Sequence, residues 1–204
     1  MAATESAFGE KLMINAERIL CELDQHLDHA VSLVICGRAA VALGFDGPPD
    51  DVSKTLDVDA IIPITQTEIL RADQNFWDAQ EATNRKLEKD GLYITHLFEA
   101  DQIFLRRDWE QHLVPITHPP TRWLRLFRPA TLDLILTKMM RGDDAQDLSD
   151  VAFLIRHDHL TLAQIESALA EAVIPDLVEL RDAFERAKPL VRELARQGGL
   201  SEGA

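Results

Sequence analysis

Residues 56–62 read Leu-Asp-Val-Asp-Ala-Ile-Ile, two carboxylates inside an otherwise apolar run. A run of this kind reads as a buried strand, and in a strand the side chains at i and i+2 leave the same face. Asp57 and Asp59 therefore aim at one spot, beside a hydrophobic wall made by Val58, Ala60, Ile61 and Ile62. Two like charges against apolar surface are costly unless something cationic neutralises them. A divalent metal with hard oxygen ligands does this well, and magnesium typically takes one or two carboxylates plus substrate phosphates.

The residues before this strand repeat the theme of strand and turn. Residues 31–36 (VSLVIC) are a short apolar, β-rich run and read as a buried strand. Gly37 opens a turn, residues 38–43 (RAAVAL) are helix-forming, and residues 44–53, rich in Gly, Pro and Asp, are a loop by composition. The second strand is expected over 56–64. Ahead of all this, Phe8, Leu12, Ile14, Ile19, Leu20, Leu23 and Leu27 recur at mostly helical spacing and predict an amphipathic helix over 5–29.

Downstream, polar helical sequence runs from 65 to 89 with Phe76 and Trp77 as anchors, and Asp90-Gly91 turns the chain. Residues 92–98 (LYITHLF) are a strand by β-branched and aromatic content. Residues 102–106 are its expected hairpin partner, and 113–116 and 123–127 are further extended segments. After Pro129 the character becomes helical: one helix around 132–139, another around 148–155, and a third opened by the capping box Thr161-Leu162-Ala163-Gln164. A fourth is expected over 177–194, then a frayed tail over 198–204. The expected fold class is α/β, a small mixed β-sheet flanked by helices over 1–128, with a helical C-terminal region over 129–197 packed on it.

A length of 204 residues suits one medium-sized domain or a domain with a helical appendix, and 46% hydrophobic residues is ordinary for a globular protein. Cys21 and Cys36 match no zinc spacing and are too few for a disulfide scaffold, so free thiols in a reducing cytoplasm are expected. No run of 18 apolar residues occurs, and the first residues lack a charged segment leading into an apolar one. A cytoplasmic protein without membrane contact is the expectation. The formal charge of −14 weighs against a broad nucleic-acid-binding surface, because an acidic surface repels polyphosphate. It leaves room for a nucleotide whose site is screened by metal ions, and for a basic protein partner.

The order Ile35-Cys36-Gly37-Arg38-Ala39, a loop, then Lys54-Thr55-Leu56-Asp57-Val58-Asp59 resembles the nucleotidyltransferase superfamily of DNA polymerase beta type. Within it, the chain looks like the bacterial nucleotidyltransferase-like proteins linked to toxin–antitoxin and abortive-infection systems. Lys138 and Asp147-Leu148-Ser149-Asp150 stand where those families carry a later Lys and an acidic helix, so the resemblance covers roughly residues 31–155. It implies that Asp57 and Asp59 hold Mg2+ (or Mn2+) ions that bridge NTP phosphates and activate an acceptor hydroxyl of RNA or protein. It also implies phosphate contacts from Gly37 and Arg38, a triphosphate contact from Lys138, and a role for Asp147 in accepting a proton or orienting Lys138.

The pattern departs from those families at three positions. Cys36 replaces a glycine, and Arg38 replaces a small or hydroxyl residue, where it would contact phosphate, fill the pocket or pair with Asp57. His96 falls where a third carboxylate is expected, with Glu99 and Asp101 nearby as substitutes. Each residue also has a plainer reading. Lys138 alone would be a snorkelling surface lysine, and Asp147 with Asp150 a solvated helix face. His157-Asp158-His159 reads as a turn with exposed imidazoles, and Trp77, Trp109 and Trp123 as core or interface anchors. Two functions follow: a metal-dependent nucleotidyltransferase, or a catalytically weak or inactive relative that acts as a binding partner, for example in a toxin–antitoxin pair.

Overall fold

The structure is a computed structural model and describes residues 13–200. The first part of the predicted N-terminal helix, with Phe8 and Leu12, lies outside the described residues, as do residues 201–204. Helix α1 (Asn15–His26) buries Ala16, Ile19, Leu20 and Leu23 on one face. Asp24 on its other side accepts hydrogen bonds from the backbone N–H groups of Arg122, Trp123 and Leu124 at 2.8, 2.7 and 2.8 Å. A carboxylate that takes three main-chain donors pins the start of a distant strand to this helix.

The central layer is a five-stranded mixed sheet. Its strands are β1 (Val31–Cys36), β2 (Asp57–Ile62) and β3 (Tyr93–Glu99). Past the two-residue β4 (Leu105–Arg106), β5 (Val114–Ile116) and β6 (Leu124–Arg128) complete it. The spatial order is β3-β2-β1-β6-β5, with β1 antiparallel to β2, parallel to β6, and β2 parallel to β3. β1 lies at the centre, buried on both faces, which is why its sequence is nearly all apolar. Leu33 and Ile35 enter the main core under the helices, whereas Val34 and Cys36 pack with Ile61, Ile103, Leu105 and Trp109 on the opposite face.

Helix α2 (Gly37–Gly44) follows β1 directly. The single helix predicted over 65–89 is instead a 3₁₀ turn (Ile64–Gln66), α3 (Thr67–Arg71) and α4 (Gln74–Leu87). The break falls at Asp73, whose side chain accepts the Phe76 N–H at 3.0 Å and so caps α4. Among the described residues four α-helices follow: α5 (Thr131–Lys138), α6 (Ala145–His157), α7 (Leu162–Glu171) and α8 (Val178–Leu200). α8 runs through Gly198, so that the expected frayed tail is helical as far as Leu200.

One pairing differs from expectation. β4 does not form a hairpin with β3. It pairs antiparallel with β7 (Ala172–Val173), matching Leu105 to Val173 and Arg106 to Ala172. The physical reason is Asp133 on α5, a fully buried carboxylate. It accepts the Arg106 backbone N–H at 2.9 Å and both arms of the Arg106 guanidinium at 3.1 and 2.7 Å. A buried carboxylate needs such a partner, and the bidentate pair docks this segment on the helical region.

Cys21 and Cys36 are free thiols, and burial, followed by the nearby Asp59 charge, pushes the Cys36 thiol well above its usual range. His157 and Asp158 form the C-terminal turn of α6, with the His157 ring edge-on to Phe45 at 5.1 Å. Among the described residues no helix is long and apolar enough to cross a membrane.

Candidate active site

The site forms where β1 gives way to α2. Cys36, the last residue of β1, lies opposite Asp59 in the antiparallel pairing with β2. Gly37 then turns the chain at φ +63°, a left-handed conformation that L side chains rarely adopt. A Cβ at this position would also lie 3.3 Å from Asp59 Oδ2. The backbone of the turn and the start of α2 are thus brought directly against a carboxylate.

Asp57 and Asp59 both open into a cavity of about 370 Å³ beside this turn. Asp57 accepts the Thr55 hydroxyl at 2.9 Å. Asp59 Oδ1 accepts the Thr95 hydroxyl at 2.6 Å and the His96 backbone N–H at 3.2 Å, and lies 3.1 Å from His96 Nδ1. A β-bulge makes these contacts. Val58 is matched to Ile94 and Ala60 to Leu97, so that Thr95 and His96 together oppose Asp59. Among the described residues neither Asp57 nor Asp59 is paired with a lysine or arginine.

The basic residues of the cavity are engaged elsewhere. Arg38, at the start of α2, binds Asp51 of the loop that follows this helix and approaches Asp150 of α6, its Nε 3.3 Å from Asp150 Oδ2. Burial works against the Arg38 charge, but the bonds to Asp51 and Asp150 outweigh it and raise its pKa. Lys138, at the end of α5, is buried with Nζ 3.0 Å from Asp147 and 2.6 Å from Asp150. The second oxygen of Asp147 binds Arg141. Alternating charges therefore run Asp51, Arg38, Asp150, Lys138, Asp147, Arg141 beside the cavity and tie α2 to α5 and α6. Of the alternatives open for Arg38, pairing with Asp57 is not the one found.

His96 faces the cavity, whereas Glu99 is bound to Arg71 and, like Asp101, does not line it. Among the described residues no group of three or more His, Cys, Asp or Glu side chains is arranged to hold a metal ion by itself. Two carboxylates remain as donors, which matches the way magnesium is usually held, by one or two carboxylates with phosphates and water completing its shell.

Over residues 10–183 the sequence matches the family described as "Nucleotidyltransferase of unknown function (DUF6036)". The chain belongs to this family. No match is found among curated proteins or among solved structures. The match takes in the whole cavity of this nucleotidyltransferase-like chain and ends inside α8.

The structure brings Gly37, Arg38, Asp57, Asp59, Lys138 and Asp147 to one cavity. Asp51, Thr95, Phe98 and Arg141 join these residues at or beside the cavity without being candidates from the sequence pattern. Asp51 sits among several acidic loop residues with nothing to distinguish it, and Arg141 follows Lys138 without a pattern. Thr95 carried a signal of its own: a residue beside His96 on the strand aligned with the aspartates reaches Asp59 once the strand bulges.

Proposed function

We propose that the chain is a metal-dependent nucleotidyltransferase that moves a nucleoside monophosphate from an NTP onto a hydroxyl of an RNA or protein acceptor, breaking the α–β phosphoanhydride bond and releasing pyrophosphate, with the hydroxyl proton passing to solvent. The observation that carries this reading is the Asp57–Asp59 pair. Both carboxylates face the cavity, are held by neutral or imidazole donors, and have no lysine or arginine partner among the described residues. The cavity is lined by the carboxylates of Asp57, Asp59 and Asp147 and by the cations Arg38, Lys138 and Arg141, and these cations are already paired with Asp51, Asp150, Asp147 and Asp144. A polyphosphate that approaches the unneutralised Asp57–Asp59 pair is repelled unless a divalent cation accompanies it.

Asp57 and Asp59 would hold that ion, Mg2+ or Mn2+. When bound, it supplies charge neutralisation at the phosphates and favours attack by the acceptor oxygen. The first N–H groups of α2 have no helical acceptor, and with Gly37 and Arg38 lining the cavity they would be available to a phosphate there. Arg38 and Lys138 add positive charge at the wall. Asp147 has both oxygens in ion pairs, so its role is to fix Lys138 rather than to take a proton. Two free thiols suit a reducing cytoplasm.

The test is transfer of label from an α-32P-labelled NTP to an RNA or protein hydroxyl in magnesium or manganese. Asp57→Asn and Asp59→Asn should each lower the rate by roughly a hundredfold or more, the scale of losing one charge-stabilising group. Equal transfer by wild type and both variants would sink the reading. A second reading, a weakly active or inactive partner protein such as an antitoxin, draws on His96 standing where a third carboxylate is expected. The charge of −14, which attracts a basic protein, also supports it. It requires a basic partner that is captured equally well by the Asp57→Asn/Asp59→Asn protein.

A further inference from the structure

The cavity is lined by charged groups and also by Phe98, Ile103 and Met140, which belong to one apolar cluster. His96 lines it too, its side chain 64% exposed, with its ring stacked on Phe98 at a centroid distance of 5.2 Å and an interplanar angle of 12°. An aromatic pair this nearly parallel presents a flat outer face to the cavity. The ring is also held in place. Its Nδ1 lies 3.1 Å from Asp59 Oδ1, and the bulge that sets Thr95 and His96 opposite Asp59 fixes the backbone beneath it. A pre-set ring loses little freedom when another ring settles on it.

We infer that His96 and Phe98 form the platform on which the base of the incoming nucleoside triphosphate stacks, a role that rests on reading the cavity as a nucleotide site. The phosphates would then reach toward Gly37 and the Asp57–Asp59 pair, while the base lies over the exposed imidazole face. Base–aromatic stacking tolerates any base because every base has a π-face. Thr137 and Gln146 are the neutral hydrogen-bonding side chains of the lining, few for reading a base edge. The platform therefore favours purines over pyrimidines by ring area and separates ATP weakly from GTP.

The test compares the affinities of ATP and inorganic tripolyphosphate, both in magnesium, for the full chain and for His96→Ala and His96→Phe. His96 is exposed, so neither substitution opens a core cavity. Tripolyphosphate reports the phosphate and metal end, and the ratio of the two affinities isolates the base. The ratio should fall about tenfold in His96→Ala, the scale of a lost stack, and be kept in His96→Phe, which restores a ring without the nitrogen that faces Asp59. An unchanged ratio in His96→Ala, or an equal fall in both variants, would overturn the platform. Tripolyphosphate binding wild type as tightly as ATP would overturn it too while leaving the phosphate site standing. If neither ligand binds wild type, the nucleotide reading fails and the platform falls with it.

Discussion

At residue 37 the backbone sits at φ +63° with Asp59 Oδ2 3.3 Å from where a Cβ would be. Both facts select glycine, the first through backbone sterics and the second through crowding of a carboxylate. Gly37→Ala is expected to cost roughly 1–2 kcal/mol of stability, the usual penalty for an L residue held in the left-handed region, measured by urea denaturation. It should also weaken nucleotide affinity by displacing Asp59; unchanged stability and affinity would show that the turn is not constrained as described. The sequence displayed this corner well, because the two-residue spacing of Asp57 and Asp59 is a local property of a strand. The partners of Arg38 were hidden for the opposite reason. Asp150 lies 112 residues further along the chain, and only the packing of α6 brings it to Arg38.

Among the elements, the short ones were the least legible. β4 and β7 are two residues each, too short to carry any alternation, and their pairing depends on the buried Asp133–Arg106 contact. The break between α3 and α4 had a local signal in Asp73, a good capping residue, which the surrounding helical composition outweighed. That corner also binds His29, whose Nδ1 lies 2.7 Å from Asp28 and Nε2 2.8 Å from Asp73. The contacts with Asp28, then Asp73, raise the His29 pKa above its usual 6.5. A raised histidine pKa contributes stability that is fully present below 6.5 and fades as pH climbs through the higher folded value. The difference in urea midpoint between wild type and His29→Gln should therefore be largest in mild acid and shrink as pH rises. A difference that grows with pH would contradict the assignment.

Across the whole molecule, the change of character after Pro129 was plain in the sequence, but the way the two parts share a core was not. Ile35 and Leu126 of the sheet belong to the same buried cluster as Leu134, Leu154, Phe184 and Val191 of the terminal helices. The charge chain through Lys138 crosses the same boundary. Calorimetry should accordingly show one unfolding transition, shifted as a unit in Lys138→Ala and destabilised by roughly 1–3 kcal/mol, because Asp147 and Asp150 would lose their shared cation and keep only Arg141 and Arg38. Two separate transitions would mean that the parts unfold independently. On the proposed function, the cavity between sheet and terminal helices takes a nucleotide with a divalent ion held by Asp57 and Asp59. Isothermal titration with each NTP in magnesium, on wild type and on a folded Asp57→Ala/Asp59→Ala protein, tests it most directly. At least one NTP should bind wild type only with magnesium and fail to bind the double variant; no binding to folded wild type, or equal binding to both proteins, would show that the two aspartates hold no nucleotide–metal site.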